Sequence, residues 1–355
     1  MNKRLKMNKT FETRQLGKTS LNVSTLGFGA ASMGNLYQAV PDNEAQATLS
    51  AAIDLGMNLF DTSPRYGAGL SERRVGDTLR PLAKDNYVLS TKVGRLLKPD
   101  AKAAINQLRH GFLTPMPFDA HYDYTYDGIM RSFEDSQQRL GLAEIDILLV
   151  HDLGVDTHGD DDKQYFEQFE QSGYKALEAL RANGLIKAVG LGVNETEICE
   201  RVMNISQFDC FLLAGRYSLL EQKPLHHFLP KCEAHGASII LGGPYNSGIL
   251  ATGVRGKSIP HYDYSPAPQH IIDKVAKIES VCDDYQVTLA AAALQFPLGH
   301  AAVVSVIPGI GSVRRVQHTI ELFNEAIPSE FWQSLKDENL LDQSAPLPSS
   351  KVTAS

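Results

Sequence analysis

The chain has 355 residues, 43% of them hydrophobic and 21% charged, with a formal net charge of −7. That balance supplies core enough for one large domain or two ordinary ones, and an acidic chain with no basic stripe excludes a dedicated nucleic-acid binder. No apolar run approaches the ~20 residues of a membrane span. Residues 1–10 are basic but lead into no apolar segment, so a cytoplasmic protein without a secretory signal is predicted. Cys199, Cys210, Cys232 and Cys282 form no CxxC pair and read as buried, reduced thiols.

In chain order, strand-like runs at 11–16 and 21–26 flank Gly17-Lys18-Thr19-Ser20 and predict a hairpin. An alternation follows. Short runs at 25–30, 58–62, 87–92, 146–151, 188–193, 210–213, 238–241 and 303–307 are mostly apolar without alternation, as in strands buried on both faces. Helical period occupies 43–55, 71–82, 126–140, 165–181, 195–204, 224–235, 271–295 and 312–323. Asp42 or Asn43 after Pro41 and the pair Ser71-Glu72 signal helix starts, and Gly56, Gly141, Gly184 and Gly236 signal stops.

Eight β-then-α units predict a (β/α)8 TIM barrel rather than an open sheet, with the leading hairpin plugging its bottom. The barrel is expected to form a single domain over 11–343, with a last helix at 329–341. A Ser- and Pro-rich tail, 344–355, is expected to be disordered. Two long inserts, 95–123 after the third strand and 245–268 after the seventh, exceed the ~15 residues beyond which loops are usually functional. Both fall on the strand C-terminal side, where barrel enzymes build their sites.

Asp61, Tyr66, Lys92 and His151 each fall just past a predicted strand end. A free phenol titrates near ~10, a neighbouring ammonium favours the phenolate, and a carboxylate holds that ammonium in place. The set therefore points to general acid–base chemistry on a carbonyl or hydroxyl, against the plainer reading of Asp61 and Lys92 as a structural ion pair. Gly27-Phe28-Gly29 with Gly34 is not a dinucleotide fingerprint, because the third glycine is displaced and the next helix starts only near Asn43. These glycines read instead as letting the barrel rim approach a cofactor. No histidine spacing joins a carboxylate set, so no metal site is predicted.

The run Phe60-Asp61-Thr62-Ser63-Pro64-Arg65-Tyr66-Gly67, followed by Gly69-Leu70-Ser71-Glu72, resembles the aldo-keto reductase signature. Ser90-Thr91-Lys92, Leu149-Val150-His151-Asp152 and Ile307-Pro308-Gly309 resemble the family's other strand-end motifs, and the likeness runs from about Arg14 to Phe323. The resemblance implies an NAD(P)-dependent enzyme in which Tyr66 is the acid in reduction and the base in oxidation. Lys92 would lower its pKa, Asp61 would anchor Lys92, and His151 would orient the reacting oxygen. It also implies that Asn194 binds the nicotinamide carboxamide and Tyr217 stacks on its ring. Gly243, Asn246 and Gly248 would lie along the pyrophosphate, with Pro308, Gly309, Gly311 and Arg315 at the last-strand turn.

Three positions depart from the family's pattern: Ala214, Gly309 and Thr319 stand where glutamine, lysine and asparagine are common. NAD is therefore favoured, with NADP the other option. Residues 214–220 and the segment from Phe118 to Gly128 are similar to a branch that oxidises cyclic hemiacetals to lactones. The expected substrate is an aldose, L-fucose-like or D-threo, with pyridoxal the alternative. Further alternatives are a reductase of simple aldehydes or ketones and a nucleotide-binding regulatory subunit. Arg65, His110, His121, Asp123 and Asp152 are the polar residues expected to read a substrate. The partner expected is a small molecule, not a nucleic acid or a membrane; oligomeric state is not legible.

Overall fold

The computed structural model describes residues 11–103 and 107–349. Eight parallel strands follow one another around a barrel in chain order: β1 (Phe28–Gly29), β2 (Leu59–Asp61), β3 (Val88–Val93), β4 (Ile147–His151), β5 (Ala188–Val193), β6 (Cys210–Ala214), β7 (Ser238–Gly242) and β8 (Val303–Ile307). Three backbone bonds close the seam between first and last. Gly27 N–H donates to Val306 O at 3.0 Å, Gly29 N–H to Pro308 O at 3.0 Å, and Val306 N–H to Thr25 O at 2.9 Å. A Cβ on Gly27 would lie 2.8 Å from the Ile307 side chain, and one on Gly29 3.0 Å from Ile307 O. These two glycines thus serve the tight seam, which corrects the expectation that they make room for a cofactor.

Helices α1 (Asp42–Asp54), α2 (Leu70–Leu79), α3 (Tyr126–Leu140), α4 (Tyr174–Ala182), α5 (Glu197–Met203), α6 (Phe228–His235), α7 (Gln269–Tyr285), α8 (Leu289–Gln295), α9 (Val313–Asn324) and α10 (Ser329–Asp337) form the outer layer. The single helix expected over 271–295 is two. Gln286 takes a left-handed conformation (φ 55°), and Val287 N–H turns back to Cys282 O. The helix expected over 165–181 is interrupted by a π turn, Phe169–Gly173. There Gly173 packs so tightly that a Cβ would sit 2.1 Å from Tyr124 O.

The hairpin forms, Thr13–Gln15 against Asn22–Ser24. Its Leu16, Leu21 and Val23 join Leu59, Val88, Ile147, Ile240 and Val304 in one buried cluster inside the barrel, so it plugs the bottom as predicted. Each such aliphatic side chain contributes about 1.5–3 kcal/mol by leaving water. The tail departs from expectation. Ala345 is buried, Leu347 packs on the core, and a Cβ on Gly299 would meet Pro346 O at 2.5 Å. Its prolines lower the entropy lost on docking, so a composition that reads as disorder still packs. Residues 350–355 and 1–10 lie outside the described residues. Among the described residues, no helix is long and apolar enough to cross a membrane.

Both inserts build over the barrel mouth. After β3, Arg95–Pro99 pairs antiparallel with Phe118–Tyr122, placing Arg95 opposite Tyr122. A smaller ribbon, Leu108–Arg109 with Phe112–Leu113, is tied to the loop after β1: Tyr37 N–H donates to Gly111 O and Leu113 N–H to Asn35 O, both at 3.0 Å. After β7, a short hairpin, His261–Tyr262 with Ser265–Pro266, carries Asp263 and Tyr264 at its tip. The loop after β1 also backs Tyr66: a Cβ on Gly34 would lie 2.4 Å from the Tyr66 carbonyl carbon. Gly34→Ala is therefore expected to cost about 1–3 kcal/mol by overpacking. Urea unfolding should show a lower midpoint at unchanged slope, with a fall in kcat as Tyr66 shifts.

Candidate active site

Asp61 ends β2, Lys92 lies near the end of β3 and His151 ends β4, so three adjacent parallel strands deliver the three groups to one end of the barrel. On β3, Ser90 and Lys92 point inward while Thr91 points outward and donates to Glu72 of α2 at 2.7 Å. Lys92 crosses the barrel because β5 offers no side chain in its way. A Cβ on Gly192 would stand 3.0 Å from Lys92 Cε.

The ammonium, 1% exposed, uses all three of its donors. Lys92 Nζ donates to Asp61 Oδ2 at 2.6 Å, to Thr62 O at 2.9 Å and to Tyr66 Oη at 3.2 Å. Ser90 Oγ donates to the other Asp61 oxygen at 2.8 Å. Because Tyr66 Oη accepts from Lys92, its own hydrogen is free to face the cleft. Burial pulls the Lys92 pKa down, but Asp61 and Tyr66 outweigh it and hold the ammonium above its ordinary value. Burial also raises the Tyr66 phenol, and Lys92 pulls it down without overcoming that rise. The lowering expected from Lys92 is present in sign and smaller than the desolvation around it.

His151 lies beside this set, its ring edge-on to Tyr66 with centroids 6.2 Å apart. Nδ1 is 3.0 Å from Ser63 Oγ, which itself accepts from Arg65 N–H at 3.1 Å. When Ser63 Oγ donates to Nδ1 the ring proton sits on Nε2, at the cleft; the 3.0 Å contact itself fits either tautomer, because the hydroxyl has a second lone pair. Burial, with Arg95, Lys92 and Arg65 adding to it, holds His151 well below its ordinary pKa, so the imidazole is neutral. Tyr124 Oη fixes the backbone below by donating to His151 O at 2.8 Å.

These groups open into a cleft of about 640 Å³, within the ordinary range of small-molecule sites. Phe112 forms one wall, its ring tilted against Tyr66 at 6.2 Å, and Tyr37 and Tyr264 stand exposed at the mouth. Of the polar residues expected to read a substrate, Arg65, His110 and Asp152 line the cleft. His121 and Asp123 do not; Asp123 instead holds the turn before α3, accepting from Thr125 N–H at 3.0 Å, while Thr125 itself caps the helix. Arg95 and Tyr122 are cleft residues that the sequence reading missed. Arg95 pairs with Asp152 and lies over the Tyr122 ring, 4.7 Å from its centroid. The available signal was a cation three residues past Lys92, on the C-terminal side of the same strand.

The residues expected at a dinucleotide divide. Asn194 lines the cleft, its Nδ2 donating to Ala214 O at 3.3 Å and Tyr264 Oη at 3.2 Å. Gly243 and Gly248 have φ of 59° and 102°, and a Cβ on Gly248 or Gly309 would meet nothing within 4 Å. Such bare backbone lets an anionic ligand approach closely. Gly311 and Arg315 line a neighbouring hollow with Arg314 and Ser32. Pro308 carries the carbonyl that closes the seam with Gly29.

Two expectations are corrected. Tyr217 is fully buried, its ring against Phe296 at 5.3 Å and His300 at 5.8 Å, so no face is open for stacking. Asn246 is buried and braces its loop, donating to Gly215 O at 3.0 Å and accepting from Ser218 Oγ. The uncovered glycines and the arginine pair fit a dinucleotide; the Tyr217 ring does not contribute.

A parallel barrel with a lysine-backed phenol at its strand ends has the architecture of a nicotinamide-dependent oxidoreductase. The chain belongs to the Aldo/keto reductase family, whose sequence profile matches residues 25–339. It is 43% identical over 341 residues to pyridoxal 4-dehydrogenase of Microbacterium luteolum, covering 94% of this chain and 99% of that one. It is 36% identical to D-threo-aldose 1-dehydrogenase of a Pseudomonas species, covering 90% and 95%. Among solved structures, the holo form of an aldo-keto reductase from Bacillus halodurans shares the fold, with a TM-score of 0.70 at 23% identity over 94% of this chain and 98% of that one.

Removing one partner of a buried ion pair leaves the other charge uncompensated, at about 3–5 kcal/mol. Lys92→Met should therefore lower the urea midpoint far more than Tyr66→Phe, which removes only the weaker 3.2 Å contact. His151 supplies a second expectation. Its pKa is depressed on folding, so between that depressed value and about 6.5 the unfolded chain binds more protons. Its stabilising contribution is complete above about pH 6.5 and is lost as pH falls toward the folded value. Unfolding measured from pH 7.5 to 4.5 should show a shallower loss in His151→Gln than in the wild type.

Proposed function

We propose that this protein is an NAD-dependent dehydrogenase that oxidises a small cyclic hemiacetal to its lactone. The observation that carries the proposal is the Tyr66 phenol, backed by Lys92 and Asp61, whose free hydrogen faces a cleft shared with neutral His151. When bound, the oxidised nicotinamide supplies the hydride acceptor. Tyr66 first releases its cleft-facing proton to solvent, Lys92 stabilises the resulting phenolate, and the phenolate then takes the proton of the anomeric hydroxyl. Nε2–H of His151 donates to the reacting oxygen and fixes its position. Asn194 at the cleft rim and the bare glycines of the β7 and β8 turns would hold the nucleotide.

Of the substrates expected, pyridoxal is favoured by the tilted Phe112 ring beside Tyr66, which suits a flat heteroaromatic, and by the 43% likeness. A D-threo-aldose is the second reading, favoured by His110 and Asp152 in the cleft and by the 36% likeness. Initial rates of NADH formation at mildly alkaline pH with pyridoxal and L-fucose, side by side, decide between them. Faster turnover of pyridoxal is expected, and failure with both substrates would overturn the hemiacetal reading.

Tyr66→Phe should lower kcat by about 10²–10⁴ while leaving nucleotide binding nearly unchanged. If the variant kept most of its rate, the proton path would lie elsewhere. NAD should exceed NADP in kcat/KM, and Gly309→Lys should narrow that preference by adding a phosphate partner at an open rim position. An unchanged ratio would remove Gly309 as a determinant.

A further inference from the structure

Charged side chains around the cleft mostly pair. Lys92 is held by Asp61 at 2.6 Å, Arg95 by Asp152, and Arg216 by Asp263 at 3.1 Å. Arg65 does not. It lines the same cleft immediately before Tyr66, and its guanidinium makes no hydrogen bond or ion pair with any of the described residues. Only its backbone is engaged, through the N–H donated to Ser63 Oγ at 3.1 Å. Partial burial and the neighbouring Arg95 cation push its pKa down against a weaker pull from Asp152, which is already paired with Arg95, and a guanidinium stays charged throughout the physiological range. The wall beside Tyr66 therefore holds a partly desolvated cation whose fork-shaped donors are open.

An unpaired guanidinium in a ligand cleft suits an anionic oxygen, which it binds by short charge-assisted hydrogen bonds. The neighbouring surfaces restrict what carries that oxygen. Phe112 lies against Tyr66, so a flat ring can lie along that wall with its reacting carbon toward the phenol. We propose that Arg65 determines substrate specificity by binding an anionic oxygen on the ring carbon next to the one that bears the reacting carbon. The substrate class is then the hemiacetal of an aromatic aldehyde with an ionised ortho hydroxyl, as an electron-poor hydroxypyridine provides. A neutral aldose carries no such anion. This inference rests on the hemiacetal-dehydrogenase reading and adds the charge of the substrate to it.

The test compares wild type with Arg65→Gln and Arg65→Lys at saturating NAD. Substrates are pyridoxal, the methyl ether of its ring hydroxyl, and L-fucose. In parallel, the dissociation constant of the pyridoxal-derived lactone from the NADH complex is read by nicotinamide fluorescence. Arg65→Gln is expected to lose roughly 10–100-fold more kcat/KM on pyridoxal than on the ether, mostly in KM, and to weaken lactone binding by a similar factor. Arg65→Lys should recover part of both.

Equal losses on pyridoxal and its ether, or an unchanged lactone affinity, would overturn the proposal. The two readings fail separately. Lactone binding that depends on Arg65 without any hemiacetal oxidation would keep the anion subsite and refute the dehydrogenase. Pyridoxal oxidation with Arg65→Gln binding the lactone as wild type does would do the reverse.

Discussion

A carboxylate and an ammonium 2.6 Å apart, both buried, are the constraint on which the rest of the site depends. Desolvating two such ions costs several kcal/mol each, and their mutual attraction offsets this only if the remaining donors and acceptors are also satisfied. The barrel meets that condition. Ser90 Oγ donates to the second Asp61 oxygen, the Thr62 carbonyl takes one lysine proton, and the phenol of Tyr66 takes the last. Gly192 leaves the corridor that Lys92 needs, and the hairpin's aliphatic side chains seal the barrel from below. The phenol is thus the end of a fully satisfied buried network, with its hydrogen left over for a ligand.

Around that fixed centre the surroundings act in opposite directions on the two proton-bearing rings. Burial raises Tyr66 and lowers His151, which keeps both neutral in the free protein. Neutrality lets His151 donate a hydrogen bond without carrying charge, whereas Tyr66 must lose its proton before it can accept one from a hydroxyl. Asp152 sits just past β4 in a left-handed conformation (φ 50°), an arrangement a short acidic side chain tolerates. From there its carboxylate holds Arg95 in the wall and stands 3.5 Å from His151 Nε2. The insert after β3 therefore adds charge to the site as well as cover.

The barrel was legible because strands buried on both faces leave apolar runs, and the site because Asp61, Lys92 and His151 are charged or titratable groups at the ends of such runs. The bottom plug was legible from the leading hairpin for the same reason. What escaped depended on the path of the chain rather than on local pattern. Gly215 turns left-handed (φ 69°) just past β6, and two residues later Tyr217 lies under Phe296 rather than at the rim. Gln286 breaks a helix whose apolar periodicity carries through the break. Arg65 and Arg95 are both cations on the mouth of one barrel; only contacts across the fold distinguish the paired one from the open one.

The central claim is that the lysine-backed phenol, and not the histidine, takes the proton. The pH dependence of kcat/KM for hemiacetal oxidation, at saturating dinucleotide, tests it most directly. The account predicts a rise with pH governed by an ionisation above neutral pH, with no inflection near 6.5, the ordinary value for histidine. An activity that is lost on protonation near pH 6.5, and whose inflection disappears in His151→Gln, would contradict it.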